Sequence, residues 1–543
     1  MVRAFFAFAS LFIFTFITTN DAQARDWYRA ESNHFILYSE DSEQDTLEFV
    51  QDLERLDEVL RIMTGVGLGE DYFPRSAKVT VFRFGETRDM SALAAGNLNT
   101  GIGGFFIPRA TGSVAFVPRQ LNRRRTRSTS GGLPRELQLD PKAVLFHEYV
   151  HYFMYQYRDA PYPLWYTEGF AELFSNVEFN DDNFVIGKVP TVRSPFLATQ
   201  SIDLEEMFDR PGRLAGRATE RDYAHGWLLA SHLNLNAERR GQMGTYLNAL
   251  LGGNPPMVAA EIAFGDLEVL HEELEEFRQG AARPLRVPHA VNADPQVDIR
   301  RLTEDEAARM ELMITSKRGV DEEGAEKLVA DARRLVAEYP DSAAVLLAAT
   351  EAEFDARNYD EAEALAQRVL AIDAQSTEAT IYLADVALRR SYEDPSQFAE
   401  ARRLFAAANR MEIDHPYPLY GFYMSHLLDP EADMTDNASA ALEEAFALGR
   451  FDSGIRQAIV HWLLTVDRVA DARIVGAEYV MGNGRQACVN RAKFTLLEEG
   501  EPDRLLESAL PDHPGKVLTD EEREADREEF EAEVEEFGCE LDD

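Results

Sequence analysis

The segment from His147 to His151 reads H-E-x-x-H, and its residue types and spacing are those of a metal site. Asp140 and Pro141 precede it and favour a helix start, because Asp caps free backbone amides and Pro is tolerated in the first turn. On that helix the two histidines lie one turn apart on the same face, where their imidazoles could bind one zinc ion. Glu148 lies beside them and is the candidate general base for a hydrolytic reaction.

A second helix is predicted after a break at two prolines, and it carries the motif W-x-x-E-G-x-A from Trp165 to Ala171. Its Glu168 follows His151 after 16 intervening residues, which is enough for a helix end, a turn and a return. The first motif alone would also fit two core histidines that bind nothing. The pair of motifs points instead to a metal site.

Glu172 lies one turn after Glu168 on the same face of that second helix. Its carboxylate could accept a hydrogen bond from the far ring nitrogen of a metal-bound histidine and so fix the tautomer of that ring. A solvated surface acid is the alternative. The apolar residues that surround Glu172 in the sequence favour the first interpretation.

The two motifs together resemble those of the gluzincins, the zinc peptidases that include thermolysin and aminopeptidase N. A closer resemblance is to the peptidase-MA-like domains that are often joined to helical repeats in bacterial envelope proteins, and it covers about residues 27–285. In that family the glutamate of W-x-x-E-G-x-A is the third metal ligand, which corresponds to Glu168. The resemblance implies an α+β zincin-like catalytic domain with zinc bound by His147, His151 and Glu168.

The resemblance also implies a residue that stabilises negative charge on the substrate. In related gluzincins a tyrosine at the start of a later helix has this role, and Tyr223 matches it by position. His225 is the alternative for the same role. A packing role for either residue is equally compatible with the sequence.

These parts predict a zinc-dependent endopeptidase. Zinc lowers the pKa of a bound water to about 7, and Glu148 would take its proton and pass it to the leaving amine. Aminopeptidases of the family use a further glutamate before the catalytic helix, and between Asp89 and that helix the chain offers only Glu136 and Asp140. The alternative function is a catalytically silent peptidase-fold scaffold whose repeats bind proteins in the cell envelope.

The elements around the motifs alternate between strand-like and helix-like patterns. Short strands are predicted at 34–38 and 79–83, with an amphipathic helix at 46–63 between them. A hairpin is predicted at 103–118. The arginine cluster at 123–127 could recruit acidic substrates, but its Ser, Thr and Gly neighbours favour a solvated loop.

Past residue 300 the sequence turns to successive helices rich in Ala, Leu, Glu and Arg. From Glu304 to about Gly482 similar blocks recur and resemble about four or five degenerate tetratricopeptide repeats. Such repeats stack into an all-α helical solenoid, here expected to recruit a substrate or a protein partner. The predicted domains are a metallopeptidase domain at 25–290, repeats at 300–510 and an acidic tail at 511–543.

The composition limits the partners and the compartment. A formal net charge of −41, from 96 acidic and 55 basic residues, disfavours nucleic acid or an anionic membrane as a partner. Residues 1–24 show the basic, apolar and small-residue order of a secretory signal peptide, with cleavage after Ala24, and an uncleaved anchor is the alternative. The mature chain is expected in the periplasm or outside the cell, without a transmembrane segment.

Export would place Cys488 and Cys539 where thiols pair, so a disulfide between them is predicted. It would tie the acidic tail to the end of the repeats. Phe530, Val534 and Phe537 give that tail a narrow apolar stripe at helical spacing. Free thiols and a disordered tail are the alternative.

Overall fold

The computed structural model describes residues 26–67, 73–95, 103–120, 140–157, 160–208, 219–281, 283–292, 294–476, 485–499, 506, 509–517 and 519–539. The expected signal peptide at 1–24, the arginine cluster at 123–127 and the expected end of the repeats near Gly482 lie outside the described residues. Within those ranges, no helix combines the length and the apolar character that a membrane span requires.

Two sheets contain the strands of the described chain. The strands are β1 Tyr28–Glu31, β2 Phe35–Ser39, β3 Val79–Arg83, β4 Phe105–Ile107, β5 Val114–Val117, β6 Glu178–Phe179, β7 Phe184–Ile186, β8 Leu285–Val287 and β9 Asp298–Arg301. Six of them form one sheet in the order β4-β5-β3-β2-β1-β9, and β6, β7 and β8 form a second, small sheet. In the large sheet β2, β3 and β5 run parallel, whereas β4, β1 and β9 pair antiparallel with their neighbours.

The large sheet agrees with the sequence pattern except at one edge. The predicted strands at 34–38 and 79–83 correspond to β2 and β3, and the predicted hairpin to β4 and β5. The structure adds β1 and β9, which pair with each other at one edge of the sheet and extend it to Arg301. The side chains of β9 are mostly exposed, so this edge strand lacks the apolar alternation that identifies a strand in a sequence.

Ten helices of the described chain belong to this N-terminal region. They are α1 Glu43–Thr64, α2 Thr87–Ala95, α3 Pro141–Tyr157, α4 Leu164–Ser175, α5 Ser194–Thr199, α6 Leu204–Phe208, α7 Glu220–Leu235, α8 Gln242–Leu251, α9 Pro256–Phe264 and α10 Leu267–Glu276. Ser42 caps α1 by accepting the amide of Asp45, and Gly65, with a φ of +73°, ends it. Apolar residues of α1, α3, α4 and α7 share one core with the large sheet.

The C-terminal region is largely all-helical. Its helices are α11 Glu304–Ala308, α12 Met310–Arg318, α13 Glu322–Glu338, α14 Ala343–Asp355, α15 Tyr359–Ile372, α16 Thr377–Arg390, α17 Gln397–Met411, α18 Pro416–Leu427, α19 Asp436–Leu448, α20 Ser453–Thr465, α21 Val469–Val475, α22 Arg485–Glu499 and α23 Asp520–Glu536. From α12 to α21 each helix packs against the next. Fully buried alanines such as Ala352, Ala366 and Ala384 lie in this core, where a small side chain lets neighbouring helices approach closely.

The C-terminal end is held by Cys488 and Cys539, the two cysteines expected to pair. They form a disulfide with Cα atoms 5.7 Å apart. Beside it, Val534 of α23 is buried against Val489 of α22, with Phe530 partly buried in the same cluster. The apolar stripe of the tail therefore packs next to the bridge.

Candidate metal centre

Helix α3 presents the first two candidate ligands. The carboxylate of Asp140 accepts the amide of Lys142 at 3.0 Å and so caps the start of the helix. His147 and His151 follow one turn apart, and their Nε2 atoms lie 3.1 Å from each other. Nitrogens this close face a common point.

Helix α4 brings the third candidate ligand to the same point. Oε2 of Glu168 lies 3.0 Å from Nε2 of His147 and 3.5 Å from Nε2 of His151. The three side chains are 11, 19 and 12% exposed for His147, His151 and Glu168. In the described part of the chain these residues form a group that could hold a metal ion.

The position of α4 depends on its close approach to α7. A Cβ atom at Gly169 would stand 2.1 Å from the carbonyl oxygen of Gly226, and one at Gly226 would stand 2.4 Å from that of Trp165. Only glycine allows two helix backbones to come so close. The two glycines therefore fix the distance between Glu168 on α4 and the first turn of α7.

A cleft of about 420 Å³ opens beside His147, which lines it; His151 and Glu168 are not among its lining residues. Glu148 lines it from α3, and Tyr223 lines it from the first turn of α7. Gly103 and Gly104, directly before β4, also belong to the lining. The candidate base and the candidate oxyanion donor thus face the same space as the candidate ligand His147.

Glu172 is buried and ion-paired. Its Oε1 accepts hydrogen bonds from Nη2 and Nε of Arg193, at 2.8 and 3.0 Å. The same oxygen lies 3.9 Å from Nδ1 of His147, which exceeds hydrogen-bond distance, so the expected hydrogen bond from this ring is not formed. Glu172 is 4% exposed, so it is not a solvated surface acid.

Arg193 joins Glu172 to the start of α7. Its Nη1 donates to Glu220 at 2.8 Å, and its guanidinium carbon lies 4.2 Å from the ring centroid of Tyr223. A guanidinium stacked on an aromatic ring and paired with two carboxylates has little freedom to move. Arg193 therefore holds the Glu172 carboxylate and the Tyr223 ring at the cleft.

The two candidate oxyanion donors lie in different surroundings. The ring of Tyr223 lies 5.8 Å from that of His147, centroid to centroid. His225 faces another part of the core, where its Nε2 lies 3.3 Å from the carbonyl oxygen of Gln200 and its ring contacts Phe196. Residues two apart on a helix project about 200° from each other, so α7 can direct only one of them into the cleft.

Burial and neighbouring charges shift the pKa values of two candidate ligands and of Tyr223. Burial opposes ionisation of Glu168, but hydrogen bonds to His147 and His151 lower the pKa of this carboxyl far below its usual range. Burial also opposes protonation of His147, while the hydrogen bond to Glu168 and the charges of Glu172 and Glu168 raise the pKa of this imidazole. Burial raises the pKa of the Tyr223 hydroxyl, which keeps this group a hydrogen-bond donor.

A polar network anchors the back of α3 to α1. The hydroxyl of Tyr149 donates to Oδ1 of Asp57 at 2.7 Å, and Nε of Arg61 donates to Oδ2 of the same carboxylate at 2.6 Å. Arg61 also donates to the hydroxyl of Tyr157 at 2.6 Å. Tyr149, between the two candidate ligands, and Tyr157, after them, are thereby hydrogen-bonded to residues of the neighbouring helix α1.

Sequence reasoning missed Arg193 and the Asp57 network. Arg193 lies 21 residues from Glu172 and 27 from Glu220, in a stretch without a recognisable motif. Asp57 is 92 residues from Tyr149. Among the many acidic residues of α1, nothing in the sequence marks the two that are buried, Glu54 and Asp57.

No protein-family model matches the chain, and no curated protein gives a significant match. A function for this chain can therefore be inferred only from the geometry of the candidate metal centre.

Proposed function

We propose that the chain is a zinc-dependent endopeptidase whose metal is held by His147, His151 and Glu168. One observation carries this proposal. Three ligand atoms from α3 and α4 lie 3.0 to 3.5 Å apart, and one of the three residues, His147, lines a cleft together with Glu148.

The donor set and its spacing fit zinc. Two imidazole nitrogens and one carboxylate oxygen are the protein ligands of several catalytic zinc sites. Bond lengths of about 2.0–2.1 Å and tetrahedral angles separate neighbouring ligand atoms by about 3.3 Å. The separations of 3.1, 3.0 and 3.5 Å among His147, Glu168 and His151 agree with that value. Three protein ligands leave a fourth position free, as is typical of catalytic zinc.

The residues around the cleft have separate tasks. When bound, zinc supplies Lewis-acid polarisation of a carbonyl group and lowers the pKa of water to about 7. Glu148 takes a proton from the attacking water on a carboxylate oxygen and delivers it to the leaving amine. The hydroxyl of Tyr223 donates a hydrogen bond to the substrate oxygen as negative charge develops on it. Arg193 keeps Tyr223 and Glu172 in position.

Endopeptidase specificity is proposed from the charges in the cleft. An aminopeptidase needs carboxylates that are free to pair with the ammonium group of its substrate. The acidic residues among the described lining are Asp140, Glu148 and Glu172. Asp140 caps α3 and Glu172 is paired with Arg193, which leaves only the base. Internally quenched peptides should be cut, and single-residue amides should not.

The wider proposal follows the sequence resemblance. The mixed α/β region would be a zincin-like domain, and the helical region a tetratricopeptide-like solenoid that recruits a substrate or a protein partner. Successive packing of each helix on the next supports the second part. The disulfide between Cys488 and Cys539 supports export to the periplasm or the medium, because thiols pair in oxidising compartments.

The test combines zinc content with peptide cleavage. The wild type should carry stoichiometric zinc by elemental mass spectrometry and cut internally quenched peptides. Glu148→Gln should keep the zinc and lose about 10²- to 10⁴-fold in kcat, because the base contributes to catalysis and not to coordination. Glu168→Ala should lose the metal. A Glu148→Gln variant as fast as the wild type would refute the mechanism, and a zinc-loaded wild type that cuts no peptide would favour the silent scaffold.

A further inference from the structure

One turn of the helical region contacts α3, which lines the candidate cleft, and the hairpin that follows the lining residues Gly103 and Gly104. It comprises residues 448–452, from the last residue of α19 to the residue before α20, and we name it the brace turn. It lies about 300 residues from α3 in the sequence, a separation that only tertiary folding closes. Its contacts fall on α3 and on the β4–β5 hairpin.

Aromatic contacts join the brace turn to α3. The ring of Phe451 lies 5.2 Å from that of Tyr152, which in turn lies 5.5 Å from Phe106 of β4. Tyr152 directly follows the candidate ligand His151. One turn further along α3, Nε2 of Gln156 donates to the carbonyl oxygen of Leu448 at 3.1 Å. The helix that carries two ligands is thus held against the helical region.

The hairpin is held at its tip by the same turn. The amide of Ala110 donates to Oδ2 of Asp452 at 2.8 Å, and Ala110 is 2% exposed in a cluster with Ala445 and Ile455. At the neighbouring position, Arg109 donates to the carbonyl oxygen of Lys317 at 3.0 Å. The tip of the hairpin is therefore enclosed by helices far away in the sequence.

The base of the same hairpin forms the rim of the cleft. Gly104 lines the cleft, and a Cβ atom there would stand 3.0 Å from Cγ1 of Val144 on α3. Val144 precedes the ligand His147 by three residues. The hairpin and α3 thus approach each other at the cleft, and each also contacts the brace turn.

We infer that the brace turn is a positioning element for the candidate active site. It sets the distance between the hairpin rim and the catalytic helix by holding both at their far ends. The helical region is then part of the site as well as a surface for recruitment. The contacts alone link the brace turn to α3 and to the hairpin. The expected effect on substrate binding rests, in addition, on the proposed function.

Asp452 makes the coupling testable, because its two carboxylate oxygens have separate tasks. Oδ1 accepts the amide of Ile455 and caps α20, while Oδ2 accepts the amide of Ala110. Asparagine is as good a helix cap as aspartate, so Asp452→Asn keeps the cap. Its amide nitrogen cannot accept a hydrogen bond, so the one remaining oxygen can accept only one of the two amides. The orientation that keeps the helix cap removes the contact to the hairpin.

Asp321→Asn is the matched control. Oδ1 of Asp321 caps α13 by accepting the amide of Gly324 at 2.8 Å, and the side chain is exposed. It makes the same cap as Asp452. Any effect of a lost carboxylate charge on a helix start should appear in both variants.

The first measurement is residue-resolved hydrogen exchange on the full-length protein. In Asp452→Asn the amides of Ala110 and of Phe105–Ile107 should exchange about 10-fold faster or more, because local opening of the hairpin becomes easier. Asp321→Asn should exchange like the wild type. This readout needs neither metal nor substrate, so it tests the brace turn even where peptide cleavage fails. Unchanged exchange in Asp452→Asn would overturn the inference.

The second measurement removes the contact to α3. Phe451→Ala should weaken zinc binding by about 10-fold, measured by competition with a chelating dye, because the ligand helix is less well held. Phe422→Ala in α18 is the control, since its ring contacts His426 within the helical region. With a cleavable peptide, Asp452→Asn should raise KM more than it lowers kcat. Equal zinc affinity of both phenylalanine variants would also contradict the inference.

Discussion

Several acidic residues of the N-terminal region and two of the helical region are removed from solvent in contrasting surroundings. In the N-terminal region buried acids lie beside cations, as Asp57 does beside Arg61 at 2.6 Å. Burial alone would raise the pKa of Glu31, but hydrogen bonds from Lys78 and Arg29 lower it to about 2. The ionised carboxylate of Glu31 therefore contributes to the stability of the folded protein.

Two acids of the helical region show the reverse. Burial raises the pKa of Asp385 to about 6, although the charge of Arg389 and a hydrogen bond from Tyr417 oppose the change. Burial and the neighbouring Glu351 raise the pKa of Asp355 to about 6 as well. Ionising these two groups costs free energy that no close ion pair returns.

The difference follows from what each region must hold in place. Around α3 and α4 the side chains of a metal site need fixed orientations, and paired charges such as Glu172 with Arg193 supply them. The helical region is held largely by small apolar residues at helix contacts, and only some of its buried acids are ion-paired, as Glu353 is with Arg333 at 2.7 Å. Removal of an ion-pair partner should therefore lower the stability of the N-terminal region. A rise in pH should lower the stability of the helical region.

The largest effect is expected at the network behind α3. Asp57→Ala should lower the free energy of unfolding by about 3–5 kcal/mol, because Arg61 would keep a buried charge without its partner. Asp331→Ala is the control in the helical region, where the partner Arg334 is 69% exposed, and it should change stability by less than about 0.5 kcal/mol. Chemical denaturation of the full chain measures both. A loss below about 1 kcal/mol for Asp57→Ala would remove the contrast.

Helix packing at the site should be the next most sensitive feature. Gly169→Ala would place a Cβ atom 2.1 Å from the carbonyl oxygen of Gly226 and force α4 away from α7. We expect a loss of about 1–3 kcal/mol in the free energy of unfolding, together with weaker metal binding at the adjacent Glu168. Gly244→Ala in α8 meets nothing within 4 Å and should stabilise the protein by roughly 0.5–1 kcal/mol. Equal effects of the two substitutions would show that the close approach is unimportant.

Arg193 tests whether paired charges position the ligands. Arg193→Ala should weaken zinc binding by about 10- to 100-fold, because Glu172 loses the guanidinium that orients it. If Arg193 acts through Glu172, the double variant with Glu172→Gln should bind zinc no more weakly than Glu172→Gln alone. Lys188→Ala removes a more exposed ion pair with Glu178 and should leave the affinity unchanged. Additive losses in the double variant would assign Arg193 an independent role.

The smallest effects concern pH, and their signs should differ between the regions. The raised pKa of Asp385 means that the stability gained by its protonated form is complete below about pH 4 and lost as the pH rises through 6. Asp385→Asn should therefore be more stable than the wild type at pH 8 by roughly 1–2 kcal/mol and equal to it at pH 4.

Glu31 provides the opposite case. Its lowered pKa means that the ionised form contributes stability above about pH 4.5, which is lost as the pH falls towards 2. Glu31→Gln should be less stable than the wild type at pH 8 by about 1 kcal/mol, and the difference should vanish in acid. Thermal unfolding at the two pH values measures both variants. The same sign for Glu31→Gln and Asp385→Asn would refute the comparison of the two regions.

Local spacing in the sequence determined the parts of the site that one helix can fix. His147 and His151 are four residues apart, so any helix through them places both imidazoles on one face. The strands at β2 and β3 and the helix α1 follow from apolar periodicity, because each buries one face of a regular element. The two cysteines had only each other to pair with.

Tertiary structure decided everything that joins separate elements. The 16 residues between His151 and Glu168 allow many arrangements, and the approach of α4 to α7 through Gly169 and Gly226 selects one. That packing also directs Tyr223, and not His225, into the cleft. A hydrophobic pattern along the chain indicates which face of a helix or strand is buried. It does not identify the element that packs against that face. For this reason Arg193, the edge strand β9 and the brace turn could be found only in the folded protein.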